Sequence, residues 1–305
     1  MNKNQYVKYQ KLIKTIQSKK ERDIAQEYLN TLKAMKLDVS DMFEQYGENG
    51  LVKRETIQQY GRLTQLENKL MEHIKSLTKT QIQHTQEAIT EVFKESYYSR
   101  GHSIELLAGM SIYNKIHPSL LEEVINNNMD TIKWSERATD NNTLLVRQLR
   151  ETVMSGLVLG WGYDAMAREL TKRMDIGKNK AVTIVQTETH RSLQEANLKS
   201  MERAREKGVV MKKRWLSTLD SRTRNSHRNL DGQTIEVDEY FVSRNGNEAL
   251  APGKFGVASE DIKCRCDMIA IFDGFEPTVR RARNEAGEGE IIVYKNYDEW
   301  KENLT

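Results

Sequence analysis

The sequence predicts a mainly α protein with an elongated helical N-terminal half and a small α+β C-terminal domain. Three observations carry that expectation. Apolar residues recur at three- and four-residue spacing through the first two hundred positions. Alternation at period two begins only after Gly208. Only three prolines stand in 305 residues, and the first, Pro118, sits where a helix would begin.

The elements follow in order. Ile24, Tyr28, Leu32 and Met35 form one helical stripe, and Leu63, Leu66, Leu70, Ile74 and Leu77 form a second, with Gly47, Gly50 and Gly61 between them. Ile82, Ile89, Val92 and Phe93 make a third, which ends near Arg100-Gly101. Pro118 opens a helix carrying Leu120, Leu121, Val124 and Ile125. Leu145, Leu149, Val153 and Leu157 line the edge of the next, broken by Gly156, Gly160 and Gly162 around Trp161. A helix from Asp164 ends at Asp175-Ile176-Gly177-Lys178, and a longer one runs from Asn179 to a stop at Gly208. Val209 to Trp215 then alternates as a strand, and shorter strand-like runs fall at 234–237, 268–272 and 291–294. Asp231-Gly232 is a turn signal. These patterns divide the chain into a helical N-terminal region (1–145), a helical pair (146–206), a small α+β domain closed by Cys264-Arg265-Cys266 (207–275) and an acidic tail (276–305).

Composition excludes several classes of function. No window approaches eighteen apolar residues, so no membrane span is expected. The basic N-terminus lacks the apolar segment and cleavage site of a secretory signal. Two cysteines one residue apart cannot staple distant segments, which points to synthesis in a reducing cytoplasm. Nothing matches a Walker A loop, a dinucleotide fingerprint, a zinc-protease HExxH helix or a GxSxG elbow.

The net charge of +3 conceals an asymmetry. Residues 1–22 hold seven basic groups against one acidic, and 199–231 hold ten against four. Residues 233–305 reverse this, with nine basic against fifteen acidic. Basic clusters attract polyanions. Lys212, Lys213, Arg214, Arg222, Arg224 and Arg228 are therefore candidate contacts to nucleic acid. Lysine and arginine also simply solvate helix faces, and that reading stands beside the first for the N-terminal run.

Chemistry-bearing residues concentrate between Arg214 and Cys266. Cys264, Cys266 and His227 could chelate zinc, with Asp220, Asp261 or the more remote His190 as a further ligand, since structural zinc takes four. Alternatively both cysteines are small buried residues beside a strand. Asp220, His227 and Asp231 could form a metal-dependent nuclease site with His227 as base. The competing reading pairs Asp220 with Arg222 or Arg224 across a turn and packs His227 beneath a loop. Glu188, on the apolar side of its helix, needs a partner, and Arg222 or Arg265 is the expected one.

Taken together, the residues resemble the phage Mu F-like head morphogenesis family, the minor head proteins of tailed bacteriophages. Three segments within about 147–270 carry the resemblance: Gly162, Ala167 and Leu170 followed by Thr187-Glu188-Thr189; Trp215 followed by Asp220-Ser221-Arg222-Thr223-Arg224, His227 and Leu230-Asp231-Gly232; and Pro252-Gly253 followed by Cys264-Arg265-Cys266. Where other members have a CxxC, Arg224 and His227 stand here, and Asp261 replaces a histidine before the closing motif. The resemblance implies a virion protein of few copies, placed in the head interior near the portal and in host cytoplasm during assembly. Its implied partners are the portal protein, a scaffold or major capsid protein, and double-stranded DNA bound without sequence preference, with ejection alongside the genome. It implies no catalytic residues. The alternative is a metal-dependent nuclease or effector delivered with the DNA.

Overall fold

Long amphipathic periods without proline give long helices. The computed structural model describes residues 3–52, 56, 61–127, 129, 131–272, 278–283 and 289–302. Among these, α1 spans Lys3–Tyr46, α2 Arg62–Ala108, α3 Pro118–Ile125, α4 Trp134–Val158 and α5 Tyr163–Glu206. The protein is thus mainly α, with a small strand-bearing region following α5. No helix among the described residues is long and apolar enough to cross a membrane.

The boundaries follow local chemistry. Pro118 opens α3, where its missing N–H leaves no helical bond unmade, and His117 caps the helix by accepting from Ser119 N–H at 3.3 Å. Gly208, at φ +86°, ends α5 in the left-handed region while Val209 N–H bonds back to the Ala204 carbonyl.

Two glycines expected to end helices lie inside them. Helix α2 continues past Gly101 to Ala108, and α5 runs unbroken through Gly177. A Cβ on Gly101 would come within 2.9 Å of the Tyr113 ring, and one on Gly177 within 2.8 Å of Leu145 Cδ2. Both glycines serve close packing against a neighbouring side chain, a role that sequence spacing does not distinguish from a break.

By contact the chain forms two compact units. One comprises Ser18–Glu87 and Ile132–Val185. Its core gathers the predicted stripes: Ile24, Tyr28, Leu32 and Met35 from α1, Leu66, Leu70, Ile74 and Leu77 from α2, and Leu145, Leu149 and Val153 from α4 are buried. A neutral polar network sits among them. Tyr28 O–H donates to Asn142 Oδ1 (2.8 Å), and Asn142 Nδ2 donates to Thr78 Oγ1 (2.9 Å) and Gln81 Oε1 (3.1 Å).

The other unit comprises Met1–Gln17, Ala88–Thr131 and Gln186–Thr305. Its strand β1 (Lys212–Leu216) is followed by the one-turn helix α6 (Asn225–Arg228), then β2 (Thr234–Glu236), β3 (Phe241–Val242), β4 (Glu248–Ala249), the turn α7 (Ala258–Asp261) and β5 (Asp267–Ile271). Strand β1 is central, antiparallel to β2 on one side and β5 on the other. Its alternation buries Met211, Lys213 and Trp215 into a core shared with Phe241, Phe255, Met268, Cys264 and Cys266, and with Leu198 and Met201 of α5.

The segment expected as an acidic tail has structure where it is described; residues 276–277, 284–288 and 303–305 lie outside the described set. Strands β6 (Val279–Arg283) and β7 (Gly289–Val293) pair antiparallel, and α8 (Tyr297–Glu302) follows. Tyr297, Trp300 and Ala282 bury Leu219 beneath them, and Ala282 bridges Leu219 directly.

Candidate functional site

Strand β1 delivers Trp215 into the core, and the chain after it must loop without a regular hydrogen-bond ladder. Buried carboxylates supply what the ladder would have. Asp231 accepts from Ser217 N–H (2.6 Å) and Tyr297 N–H (2.6 Å), and both its oxygens take Arg280 (2.9 Å each). That ion pair is 2% exposed on each side. Arg280 also donates to the Ser217 and Lys295 carbonyls. Gly232 follows at φ +80°, completing the predicted turn.

Asp220 binds Arg265 through both oxygens and accepts from Arg222 N–H (3.0 Å) and Thr223 Oγ1 (3.2 Å). Burial raises its pKa, but the Arg265 hydrogen bonds and charge outweigh this and hold the carboxyl below its ordinary range. Of the two expected partners, Arg222 does pair with Asp220, at 3.8 Å and secondary to Arg265, whereas Arg224 is corrected: it donates to the Ile262 carbonyl. The partner of Glu188 is corrected too. It is Arg191, one turn along the same helix at 2.9 Å with both groups buried, rather than Arg222 or Arg265. Arg191 further donates to the carbonyls of Gly253 and Asn127.

The centre of the region is His227. Helix α6 carries it into the core, where it is 1% exposed and packed against the rings of Trp215 and Phe255. Its Nε2 lies 2.9 Å from Glu260 Oε2, and its Nδ1 lies 3.5 Å from Cys266 Sγ and 3.7 Å from Cys264 Sγ. The three donor atoms fall within 4.8 Å of one another. Glu260 is saturated: Ser226 and Ser243 hydroxyls and the amides of Asn245 and Asn247 all donate to it. Burial opposes protonation of His227, yet Cys266 and Glu260 outweigh it and its pKa is raised. Burial likewise opposes ionisation of Cys266, but hydrogen bonds from Cys264 and His227 win and push its thiol well down.

This donor set fits a soft metal ion. Zn–S bonds of about 2.3 Å and Zn–N bonds of about 2.0–2.1 Å give a tetrahedral S···N edge of about 3.6 Å, which the two His227–sulfur distances bracket. A carboxylate behind the ligating imidazole is the usual outer-shell arrangement, fixing its tautomer and orientation. Asp261, placed among the candidate ligands from sequence, instead accepts Phe255 N–H (3.0 Å) and Gly256 N–H (2.8 Å) and shapes the loop before the cysteines. Thr187 of α5 accepts from Lys263 N–H at 3.3 Å, steadying a residue held at φ +55° just ahead of Cys264.

The predicted nucleic-acid contacts divide. Lys213 is corrected outright: it is fully buried, and its ammonium donates to the Val237 and Leu250 carbonyls at 2.8 Å each. Arg214 donates to Thr234, Arg224 to Ile262 and Arg228 to the Ser221 carbonyl. Lys212 is exposed and pairs with Glu236 at 3.3 Å, and Arg222 is exposed. Period two foretold that Lys213 shares a face with Trp215, but the pull of its charge toward solvent hid the consequence. Glu260, Arg280 and Arg191 escaped the sequence reading. Glu260 looks like any acid of a short helical turn, and only its place four residues before Cys264 hinted at a role.

A β-centred domain tied by buried acids and closed by a Cys-Arg-Cys segment defines a class, and comparison with known proteins gives that class its identity. Residues 147–269 match the family described as Phage Mu protein F like protein. That segment is Mu F-like, and the similarity of the chain extends beyond it to a minor head protein. It is 29% identical to the minor head protein GP7 of Bacillus phage SPP1 over 95% of this chain and 94% of that one. It is also 32% identical to the NAD(+)--arginine ADP-ribosyltransferase EFV of Enterococcus faecalis over 208 residues, 68% of this chain but only 42% of that protein. No solved structure matches.

Proposed function

We propose that this protein is a virion component acting in phage head morphogenesis, residing in the head interior near the portal. The observation that supports this most is end-to-end similarity to a minor head protein, extending well beyond the family segment. The proposed partners are the portal protein, scaffold or major capsid protein, and double-stranded DNA. Mass spectrometry of virions, procapsids and ejected contents tests it: the protein is expected in procapsids and virions at low copy, and its absence from both would end the reading. Recovery in the ejected fraction tests ejection with the genome. Heads lacking the portal yet holding normal copies would refute portal recruitment.

The proposed DNA contact falls on exposed cationic groups. Lys8, Lys11 and Lys14 of α1 are exposed, as is Arg222. Binding to unrelated duplexes should weaken steeply with salt, and no gel shift at low salt would remove DNA from the list of partners.

The nuclease alternative has weaker support. A general base must reach its substrate proton directly or through one water, and His227 is enclosed between Glu260 and the two sulfurs. The enzyme named among the relatives is covered over less than half its length, so that activity is not carried over. For His227, Cys264 and Cys266 we propose a structural zinc site that holds the closing segment to α6.

A further inference from the structure

A structural zinc ion takes four protein ligands, and Cys264, Cys266 and His227 offer three. The neighbouring carboxylates are committed elsewhere. Glu260 is saturated as described, Asp261 takes a backbone N–H on each oxygen, Asp220 is held by Arg265, and Asp267 accepts from Gln194, Asn197 and its neighbour's N–H. His190 differs. Its Nε2 is sealed from solvent and has no hydrogen-bond partner, a costly state for a buried polar atom.

Its place on α5 puts it on the helix face that packs against the closing segment. Thr187 holds the residue before Cys264, and Gln194 Nε2 donates to the Cys266 carbonyl (3.4 Å) and to Asp267 (3.1 Å). His190 stands three residues after the first and four before the second, so all three share one helical face. Gly253, at φ +76°, keeps the space beside the ring open: a Cβ there would lie 3.3 Å from His190 Cδ2.

We propose that His190 is the fourth ligand, giving a Cys2His2 zinc site that pins helix α5 to the Cys-Arg-Cys segment. This rests on the three-residue reading given above. The 4.8 Å group holds only His227 and the two cysteines, so His190 enters by side-chain rotation as the ion binds.

The test is cobalt titration of the full chain after treatment with a chelator, followed by zinc competition. The wild type should show thiolate-to-cobalt charge transfer and the intense visible bands of tetrahedral Co2+. His190→Ala should retain the charge transfer, shift the visible bands as a water replaces imidazole, and bind at least about tenfold more weakly. His190→Cys should restore affinity and strengthen the charge transfer; it also keeps the question answerable if His190→Ala fails to fold. An unchanged spectrum and affinity in His190→Ala would overturn the proposal while leaving the three-residue site intact. Wild-type protein showing neither feature would overturn that site as well, and Cys264→Ser and Cys266→Ser separate the two failures by their charge-transfer bands.

Discussion

In the helical unit, Tyr28, Thr78, Gln81 and Asn142 bury neutral polar groups between helices whose backbones need nothing from them. Around Cys264-Arg265-Cys266, the buried polar groups include several carboxylates, three of which receive backbone N–H groups: Asp220 from Arg222, Asp231 from Ser217 and Tyr297, Asp261 from Phe255 and Gly256. The difference follows from backbone accounting. A helix closes its own hydrogen bonds, whereas buried loop amides must find other partners. Polar side chains therefore set which helix faces meet in one region, and in the other they determine whether the loops form.

Four measurements would break or sharpen that contrast. The largest effect is expected for Asp231→Ala, which strands Arg280 and two backbone amides. Removing one partner of a buried pair costs about 3–5 kcal/mol, readable in urea unfolding, and proteolysis should open the 279–283 strand. A loss below about 1 kcal/mol would show that the carboxylate does not support the loop. Asn142→Ala, in the neutral network, should cost less, about 1–3 kcal/mol, with the helical circular dichroism retained. If its cost equals that of Asp231→Ala, the contrast between the regions fails.

Gly177→Ala comes third. Its Cβ would press on Leu145, and overpacking costs about 1–3 kcal/mol, offset by about 1 kcal/mol of helix propensity. A small net destabilisation is expected, and a stabilised variant would mean that Leu145 yields freely. The last effect concerns pH. Burial pushes Lys213 down to about 8 from 10.5, against the opposing charges of Glu202, Asp238 and Glu239. Below pH 8 it is charged in both folded and unfolded chains. Between about 8 and 10.5 only the unfolded chain keeps the proton, so folding stability should rise with pH across that window and level off above it. Lys213→Met should remove this rise; an identical slope in the variant would assign it to another group.

Much of the architecture was legible from the sequence, because its signals were local. Apolar period gave the stripes of α1, α2 and α4, Pro118 gave the start of α3 and Gly208 the end of α5, and alternation gave β1. Gly101 and Gly177 misled because a glycine that admits a neighbour looks like one that ends a helix. The candidate cluster was legible only in part. Cys264, Cys266 and His227 announce themselves by type, but Glu260, thirty-three residues from His227, becomes its partner only through the tertiary fold. The arginines of 214–228 read as a free basic strip because sequence shows charge and not the carbonyls that absorb it.

The Asp231–Arg280 pair bears on how this protein can be cut. The family segment stops at residue 269, an inviting end for a minimal fragment. Such a fragment would retain Asp231 without its guanidinium, and Leu219 without the cover of Ala282, Tyr297 and Trp300. Poor solubility of that fragment would report a misplaced boundary, and the shortest self-sufficient piece should extend at least through Trp300.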